Sequence, residues 1–334
     1  MSHKYLQAFV IGGVTIDHIF FNNNASAEFT EAIEYGNKID FENSIVSIGG
    51  GGGNVSTSFS RLGVDVSLCS RIGKDLQGSE VQKILKKEKI NLNNLQIDNV
   101  NATGNAFIAQ SNGDPLIMAH RAANNEININ LIDPSNLNNV NLLYISSLSG
   151  AAINDLSIFI KNVKKANPDL FIAINPGSTQ LKENNLDALY NCLSMTDMMI
   201  VNKKESIILS ENLQRTSYYI RNCKLGVLDE KSAIVSPILN LGVKYLCVTK
   251  ASDGSVLYSP KEVVNFKAIE TIYKNGLGAG DAFGSTLAYG IVQGYSVRQS
   301  LLLASLNAAS VVSKFDTQSG LLYLDQLLSM QKKS

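Results

Sequence analysis

The sequence predicts an α/β protein, a parallel β-sheet covered by helices on both faces with a small second sheet as a lid. Three observations predict this. Short apolar runs alternate with helix-like stretches through the middle of the 334-residue chain. Polar clusters follow successive runs, where open α/β sheets gather their ligand-binding groups. Two β-rich segments, at about 18–48 and 104–121, interrupt the alternation with short strands of their own. An apolar content of 45% and a charged content of 17% describe an ordinary soluble globular protein, and the length suffices for a large core. No linker or internal repeat divides residues 1–334, which are taken as one domain carrying the lid insertions.

The first strand is the apolar run Ala8 to Gly12, which stops at Gly12-Gly13 as a buried strand would. Asp17 follows five residues later, just past a strand end, either a ligand group or a solvated turn residue. Short clusters (Ile19-Phe20-Phe21, Ile39-Asp40-Phe41, Ile45-Val46) then read as strands outside the main sheet. Five glycines, Gly49 to Gly53, lead into Asn54, and Val55, Phe59 and Leu62 keep helical spacing up to a stop at Gly63. Glycines joining an apolar segment directly to a patterned helix suit close backbone approach to a ligand better than a flexible linker. Val64 to Ile72 is the next strand, with a helix through Lys89. Asn112-Gly113-Asp114 between two apolar runs is a hairpin signal. Strands at Leu142 to Ser146, Leu170 to Ile174, Met198 to Val201 and Tyr245 to Thr249 follow. After three of them stand Asn175-Pro176-Gly177-Ser178, Asn202-Lys203-Lys204-Glu205 and Thr249 through Gly254, which suggests one rim carrying a site. Leu301 to Val312 and Leu321 to Leu328 read as the final helices.

The stretch Asn275 to Phe283 (NGLGAGDAF) has the strongest chemical content. Glycines crowd its first half, and from Asp281 onward apolar residues recur at spacings of three to five, as on one face of a helix. The first turn of a helix has N–H groups without intrahelical partners and the positive end of the macrodipole. Small residues at Gly278, Ala279 and Gly280 let an anion approach, and Asp281 puts a carboxylate beside it. That pairing suits phosphoryl transfer to a hydroxyl, the N–H groups stabilising the phosphoryl charge and the carboxylate orienting the hydroxyl and taking its proton. The plainer alternative is an aspartate N-cap after ordinary loop glycines.

Other patterns exclude whole classes. Lys+Arg and Asp+Glu both number 29, so a broad basic face for nucleic acid is not expected. No apolar run is long enough to cross a bilayer and the first residues lack a signal-peptide layout, so no membrane role is expected. Four scattered cysteines without a Cys-x-x-Cys pair read as buried free thiols in a reducing cytoplasm, and three scattered histidines give no zinc spacing. Neither Gly-x4-Gly-Lys-Ser/Thr nor a helix-opening Gly-x-Gly-x-x-Gly is present, so any nucleotide is held by another device.

Together these residues resemble the PfkB, or ribokinase-like, family of carbohydrate and nucleoside kinases, from Gly13 to about Gly320. Gly49-Gly50 with Asn54, then Arg61-Leu62-Gly63 and Gly73-x-Asp75-x-x-Gly78, look like its N-terminal signature. Gly278-Ala279-Gly280-Asp281-Ala282-Phe283 looks like the more specific C-terminal one, and Asn202-x-x-Glu205 like its Asn-x-x-Glu motif. The resemblance implies a three-layer α/β/α sandwich with a β lid and ATP-dependent phosphorylation of a substrate hydroxyl. It implies Asp281 as base and Gly278, Ala279 and Gly280 as anion hole. Asp17, Gly49, Gly50 and Asn54 would face the substrate. Asn202, Thr249, Gly254 and Asn307 would serve ATP, with Glu205 acting on Mg2+ through water. Three departures stand out. Asn275-Gly276-Leu277 replaces a common Asp-Thr-Thr, which counts against the monovalent-cation site of some relatives. Lys250-Ala251 replaces Leu-Gly after Thr249, and Phe315-Asp316-Thr317 replaces a Gly-Ala pair near the adenine pocket.

A sugar or sugar acid is the first expected substrate, because Asp17 and Asn54 suit polyol recognition. A nucleoside is the second, with Phe20, Phe21 and Phe107 as stacking partners or as plain lid core. A non-catalytic ligand-binding relative is the third, suggested by Leu277 and Ala251 and opposed by the intact Gly-Ala-Gly-Asp. Exposed lid edges suggest a homodimer.

Overall fold

A strand buried on both faces needs apolar side chains at every position, and β1 (Gln7–Ile11) has them from Ala8 onward. Ala8 and Val10 face one core while Phe9 and Ile11 face another, the period-two alternation of a central strand. This is a computed structural model, which describes residues 5–22, 38, 40–110, 115–182, 185–215 and 235–332.

In chain order β1 is followed by β2 (Thr15–Phe21), β3 (Asn43–Gly49), α1 (Gly51–Arg61) and β4 (Asp65–Gly73). Then come α2 (Leu76–Lys87), β5 (Leu95–Asp98), β6 (Asn105–Gln110), β7 (Leu116–His120), β8 (Leu142–Ile145) and α3 (Ala152–Ala166). The middle continues with β9 (Phe171–Ile174), α4 (Leu186–Leu193), β10 (Met198–Asn202), α5 (Lys203–Arg215), the single turn α6 (Ser236–Leu239) and β11 (Tyr245–Thr249). Two short strands, β12 (Ser255–Tyr258) and β13 (Val263–Phe266), precede α7 (Ala279–Gln293), α8 (Val297–Val312) and α9 (Leu324–Gln331).

Among the described residues the main sheet has nine strands in the order β13-β12-β11-β10-β9-β8-β1-β4-β5. β11, β10, β9, β8, β1, β4 and β5 run parallel in it, and β12 and β13 add an antiparallel edge. That edge is missing from the sequence-based expectation of a purely parallel sheet, because its strands are short and alternate only weakly. Helices α3, α4, α5 and α6 cover one face of the sheet. α1, α2, α7, α8 and α9 cover the other. The result is the expected three-layer α/β/α sandwich.

The two β-rich segments join into one four-stranded sheet, β3-β2-β6-β7, with β2 and β6 parallel at its centre. Its first strand begins at Thr15, so Asp17 lies within the lid rather than in a loop past β1. Phe41 is outside any strand, and Ile39 lies outside the described residues, as do the hairpin turn Asn112–Asp114 and Cys223. Helix α1 starts at Gly51, so three of the five glycines form its first turn instead of a loop. The lid's inner face, Ile19, Phe21, Ala106 and Ile108, packs on Leu277 and Phe315 of the body, two of the residues that depart from the family pattern. Cys69, Cys192 and Cys247 are buried free thiols, and burial pushes the first two up to about 12.

Candidate active site

Helices α1 and α7 face each other along matched rows. Asn54 and Ser58 are one turn apart on α1, as Asp281 and Ser285 are on α7. Ser285 Oγ donates to Ser58 Oγ at 2.7 Å, and the small serines bring the helices close. One turn nearer the helix starts, Asn54 Nδ2 donates to Asp281 Oδ2 at 2.8 Å. Gln318 Nε2 donates in turn to Asn54 Oδ1, a long bond at 3.4 Å, and keeps the amide oriented. Burial raises the Asp281 carboxyl above its ordinary value, while the Asn54 N–H opposes that rise by stabilising the anion.

Gly278 is the residue before α7 and adopts φ 72, the left-handed region. A Cβ there would stand 2.9 Å from Thr317 Cβ, so glycine satisfies both backbone and space. No side chain caps this helix start. Gly280 faces open space, where an added Cβ would meet nothing within 4 Å. Asp281 thus stands next to an uncapped, accessible helix N-terminus suited to an anion.

Asp17 is buried in β2, where Thr15 Oγ1 donates to its Oδ1 at 2.6 Å. Gly49 lies against this carboxylate, since a Cβ at Gly49 would be 1.7 Å from Asp17 Oδ2. Asp17 is raised to about 6, chiefly by burial, with the Thr15 hydrogen bond opposing the rise and the charge of Asp281 adding to it. The lid carboxylate and the helix carboxylate are therefore close enough for their charges to interact. Gly50 precedes α1 with φ 76 and joins them in the chain.

At the same rim of the sheet, Asn202 ends β10 in register with Thr249, which ends β11. Asn202 and Glu205 form a reciprocal cap at the start of α5. The Asn202 N–H donates to Glu205 Oε2 at 2.8 Å, and the Glu205 N–H to Asn202 Oδ1 at 2.9 Å. Burial raises the Glu205 carboxyl and the Asn202 hydrogen bonds pull it back. A partly desolvated carboxylate at that rim fits Mg2+ held through water, and no group of three His, Cys, Asp or Glu side chains among the described residues offers a closed metal site.

Two expected nucleotide residues have other duties. Asn307 is fully buried; its Nδ2 donates to Thr286 Oγ1 at 2.8 Å and its Oδ1 accepts from the Leu322 N–H at 2.9 Å. Both ends of its amide are thus engaged within the core. Gly254 is needed by the fold, because a Cβ there would lie 2.0 Å from the Phe266 carbonyl of β13. Ala251 takes φ 49, so an alanine here holds a left-handed backbone that glycine adopts more readily.

Sequence reasoning missed the segment between α8 and α9 as a support. Besides Gln318 and Thr317, it includes Lys314, whose carbonyl accepts from Asn275 Nδ2 at 2.7 Å. It also missed Tyr144 on β8, whose buried hydroxyl would be 2.3 Å from a Cβ at Gly284, one turn along α7 from Asp281. No local motif signals either contact.

Residues 7–322 match the pattern of the pfkB family carbohydrate kinase. The chain is 24% identical to the nucleoside kinase of Methanocaldococcus jannaschii, over 100% of this chain and 99% of that protein. It is 22% identical to the 5-dehydro-2-deoxygluconokinase of Clostridium beijerinckii, over 80% of this chain and 78% of that one. Its fold is similar to that of a ribokinase II candidate from E. coli solved with ATP and Mg2+, with TM-score 0.79, 20% identity and coverage of 98% and 100%.

Proposed function

The chain belongs to the pfkB family of carbohydrate kinases, phosphotransferases with an alcohol group as acceptor, and on that premise we propose that it transfers the γ-phosphoryl group of ATP to a hydroxyl of a sugar or sugar derivative. The Asn54–Asp281 hydrogen bond carries this proposal, because it ties the substrate end of α1 to the catalytic start of α7. Asn54 occupies Asp281 Oδ2, which leaves Oδ1 to orient the acceptor hydroxyl and receive its proton. The N–H groups of Gly278, Ala279 and Gly280 would receive the phosphoryl oxygens, that of Ala279 giving up a long 3.4 Å bond to the Gly276 carbonyl. Asp17 accepts hydrogen bonds from neighbouring substrate hydroxyls, with Gly49 and Gly50 leaving room for it. Asn202 and Thr249 serve the nucleotide phosphates, and Glu205 orients water on Mg2+. When bound, ATP supplies the phosphoryl group and Mg2+ neutralises its charge. Gly254 lies in the turn after Thr249 at the same end, and Asn307 is left out because its amide is engaged in the core.

A sugar is favoured over a nucleoside because the three lid phenylalanines are engaged elsewhere. Phe21 stacks on Phe315, Phe20 packs on Phe41, and Phe107 stacks on His18. Each of the three rings already has an aromatic partner on one side. The whole chain acts as one kinase unit, lid included. Homodimerisation through the lid is supported by Val46, His18, Phe107 and Met118, one register row on one face, with Val46 62% and Met118 56% exposed. A monomeric mass at assay concentration would count against it. Buried free thiols support a cytoplasmic location, and no helix among the described residues is long and apolar enough to cross a membrane.

The test is ADP release with Mg2+ against sugars, sugar acids and nucleosides, with Asp281→Asn in parallel. Turnover on a polyol, lowered by at least about a thousandfold in the variant, is expected. Turnover on nucleosides alone would move the assignment to a nucleoside kinase. ATP binding without turnover on any acceptor would favour a non-catalytic relative.

A further inference from the structure

The turn that builds the anion hole hangs from the far end of α8. The Lys274 and Asn275 N–H groups both reach the Val312 carbonyl, at 2.8 and 3.3 Å. The fully buried Asn275 side chain then makes two bonds of opposite sense. Its Oδ1 accepts from the Leu277 N–H at 2.6 Å, and its Nδ2 donates to the Lys314 carbonyl at 2.7 Å. One residue beyond Leu277 the chain takes the left-handed turn at Gly278 and enters α7.

The last carbonyls of a helix carry partial negative charge and need positive partners. Around α8 those partners are N–H groups of the 274–275 segment and the Asn275 amide. We infer that Asn275 is a positioning residue that holds the anion-hole turn without a bound monovalent cation, its Nδ2 occupying the role a cation would fill. This rests on the kinase assignment above. The residues present do not fit a cation here, because an N–H donor points at the carbonyl that would have to be its ligand. Aspartate at 275 would keep the acceptor for Leu277 but turn a second oxygen toward the Lys314 carbonyl. Two part-buried oxygens facing each other just past a helix C-terminus suit a hard cation and repel without one.

The test uses the full chain and Asn275→Asp, compared in potassium, sodium and tetramethylammonium chloride at equal ionic strength. Melting temperature and steady-state kcat and KM are both read. Wild type is expected to vary less than about twofold in kcat among the salts, with an unchanged melting temperature. Asn275→Asp is expected to lose about tenfold or more in kcat in tetramethylammonium and to regain activity and melting temperature in potassium, as befits a displaced anion hole. Strong potassium activation of wild type would overturn the inference. So would a folded Asn275→Asp that ignores all three salts in both readouts. Should that variant fold in none of them, Asn275→Ser carries the test, because it keeps an acceptor for Leu277 and loses the bond to Lys314. A lower kcat with unchanged acceptor KM supports the inference, and a wild-type kcat overturns it. The melting arm needs no turnover, so a wrong kinase assignment and a wrong role for Asn275 give different results.

Discussion

Asn54 donates to Asp281 across the interface of α1 and α7 at 2.8 Å, and this bond opposes the rise that burial imposes on the Asp281 carboxyl. Its loss has a signed consequence. Without the N–H the folded-state pKa of Asp281 climbs further, so the ionised carboxylate needed to accept a proton appears only at higher pH. Asn54→Ala is expected to lower kcat/KM by about a hundredfold, the scale for loss of a positioned polar group. The acidic limb of its pH profile should move to higher pH. A uniform loss with the limb unmoved would show that Asn54 does not act through Asp281.

Asp17 gives a prediction of opposite sign for stability and function. Its carboxyl titrates near 3.8 when exposed and is raised to about 6 in the fold, chiefly by burial. A raised acid contributes stability that is complete below its unfolded value and lost as pH rises through the folded one. The window here is pH 4 to 6. Asp17→Asn keeps an acceptor for Thr15 and removes the buried charge. The variant should match wild type in stability near pH 4 and exceed it by about 1–3 kcal/mol at pH 7, while losing acceptor binding. Denaturant melts at the two pH values check it; a variant less stable than wild type at pH 7 refutes it.

These two carboxylates show what local pattern reveals and what it hides. Gly49 to Asn54 and Gly278 to Asp281 are legible because turn chemistry and helix starts are encoded within a few neighbouring residues. The strand-and-helix rhythm is legible because strands buried on both faces must be apolar throughout. Gln318 and Asn54 are 264 positions apart, and nothing local to either marks their contact. Asn307 misleads for the converse reason. An amide in a helix near a site looks the same in sequence whether it faces a ligand or, as here, joins α7, α8 and the chain at Leu322 inside the core. Asp17 is expected just past the end of β1 but lies inside β2, because a lid strand that starts three residues after Gly12 leaves almost no connection to recognise.

Ala251 is an alanine at φ 49, in the short helical turn after β11. A left-handed backbone costs a residue with a Cβ about 1 kcal/mol, which glycine avoids at some cost in unfolded-state entropy. Ala251→Gly should therefore be neutral to stabilising, by up to about 1 kcal/mol, with KM for ATP unchanged or lower. Paired melting curves and ATP titrations decide this. A destabilised variant would mean that the alanine methyl makes a compensating contact.

Phe315 connects the lid to the segment that supports the turn before α7. Its ring lies 3.8 Å from that of Phe21 at 15°, and Lys274 Nζ stands 4.6 Å from its centroid on the loop leading to Asn275. Two residues on, Thr317 packs against Gly278 and donates from Oγ1 to the Ile48 carbonyl at 3.0 Å. One short segment thus touches the lid strand that carries Asp17, the end of β3 and the turn before α7. Removing the Phe315 ring takes away an aromatic pair worth about 1 kcal/mol together with part of its packing. Phe315→Ala should open the lid more than it disturbs Asp281, which is held independently by Asn54. Its expected signature is an acceptor KM raised about tenfold or more while kcat at saturation falls less than threefold. If kcat collapses at unchanged KM, the ring acts through the anion hole and not through the lid.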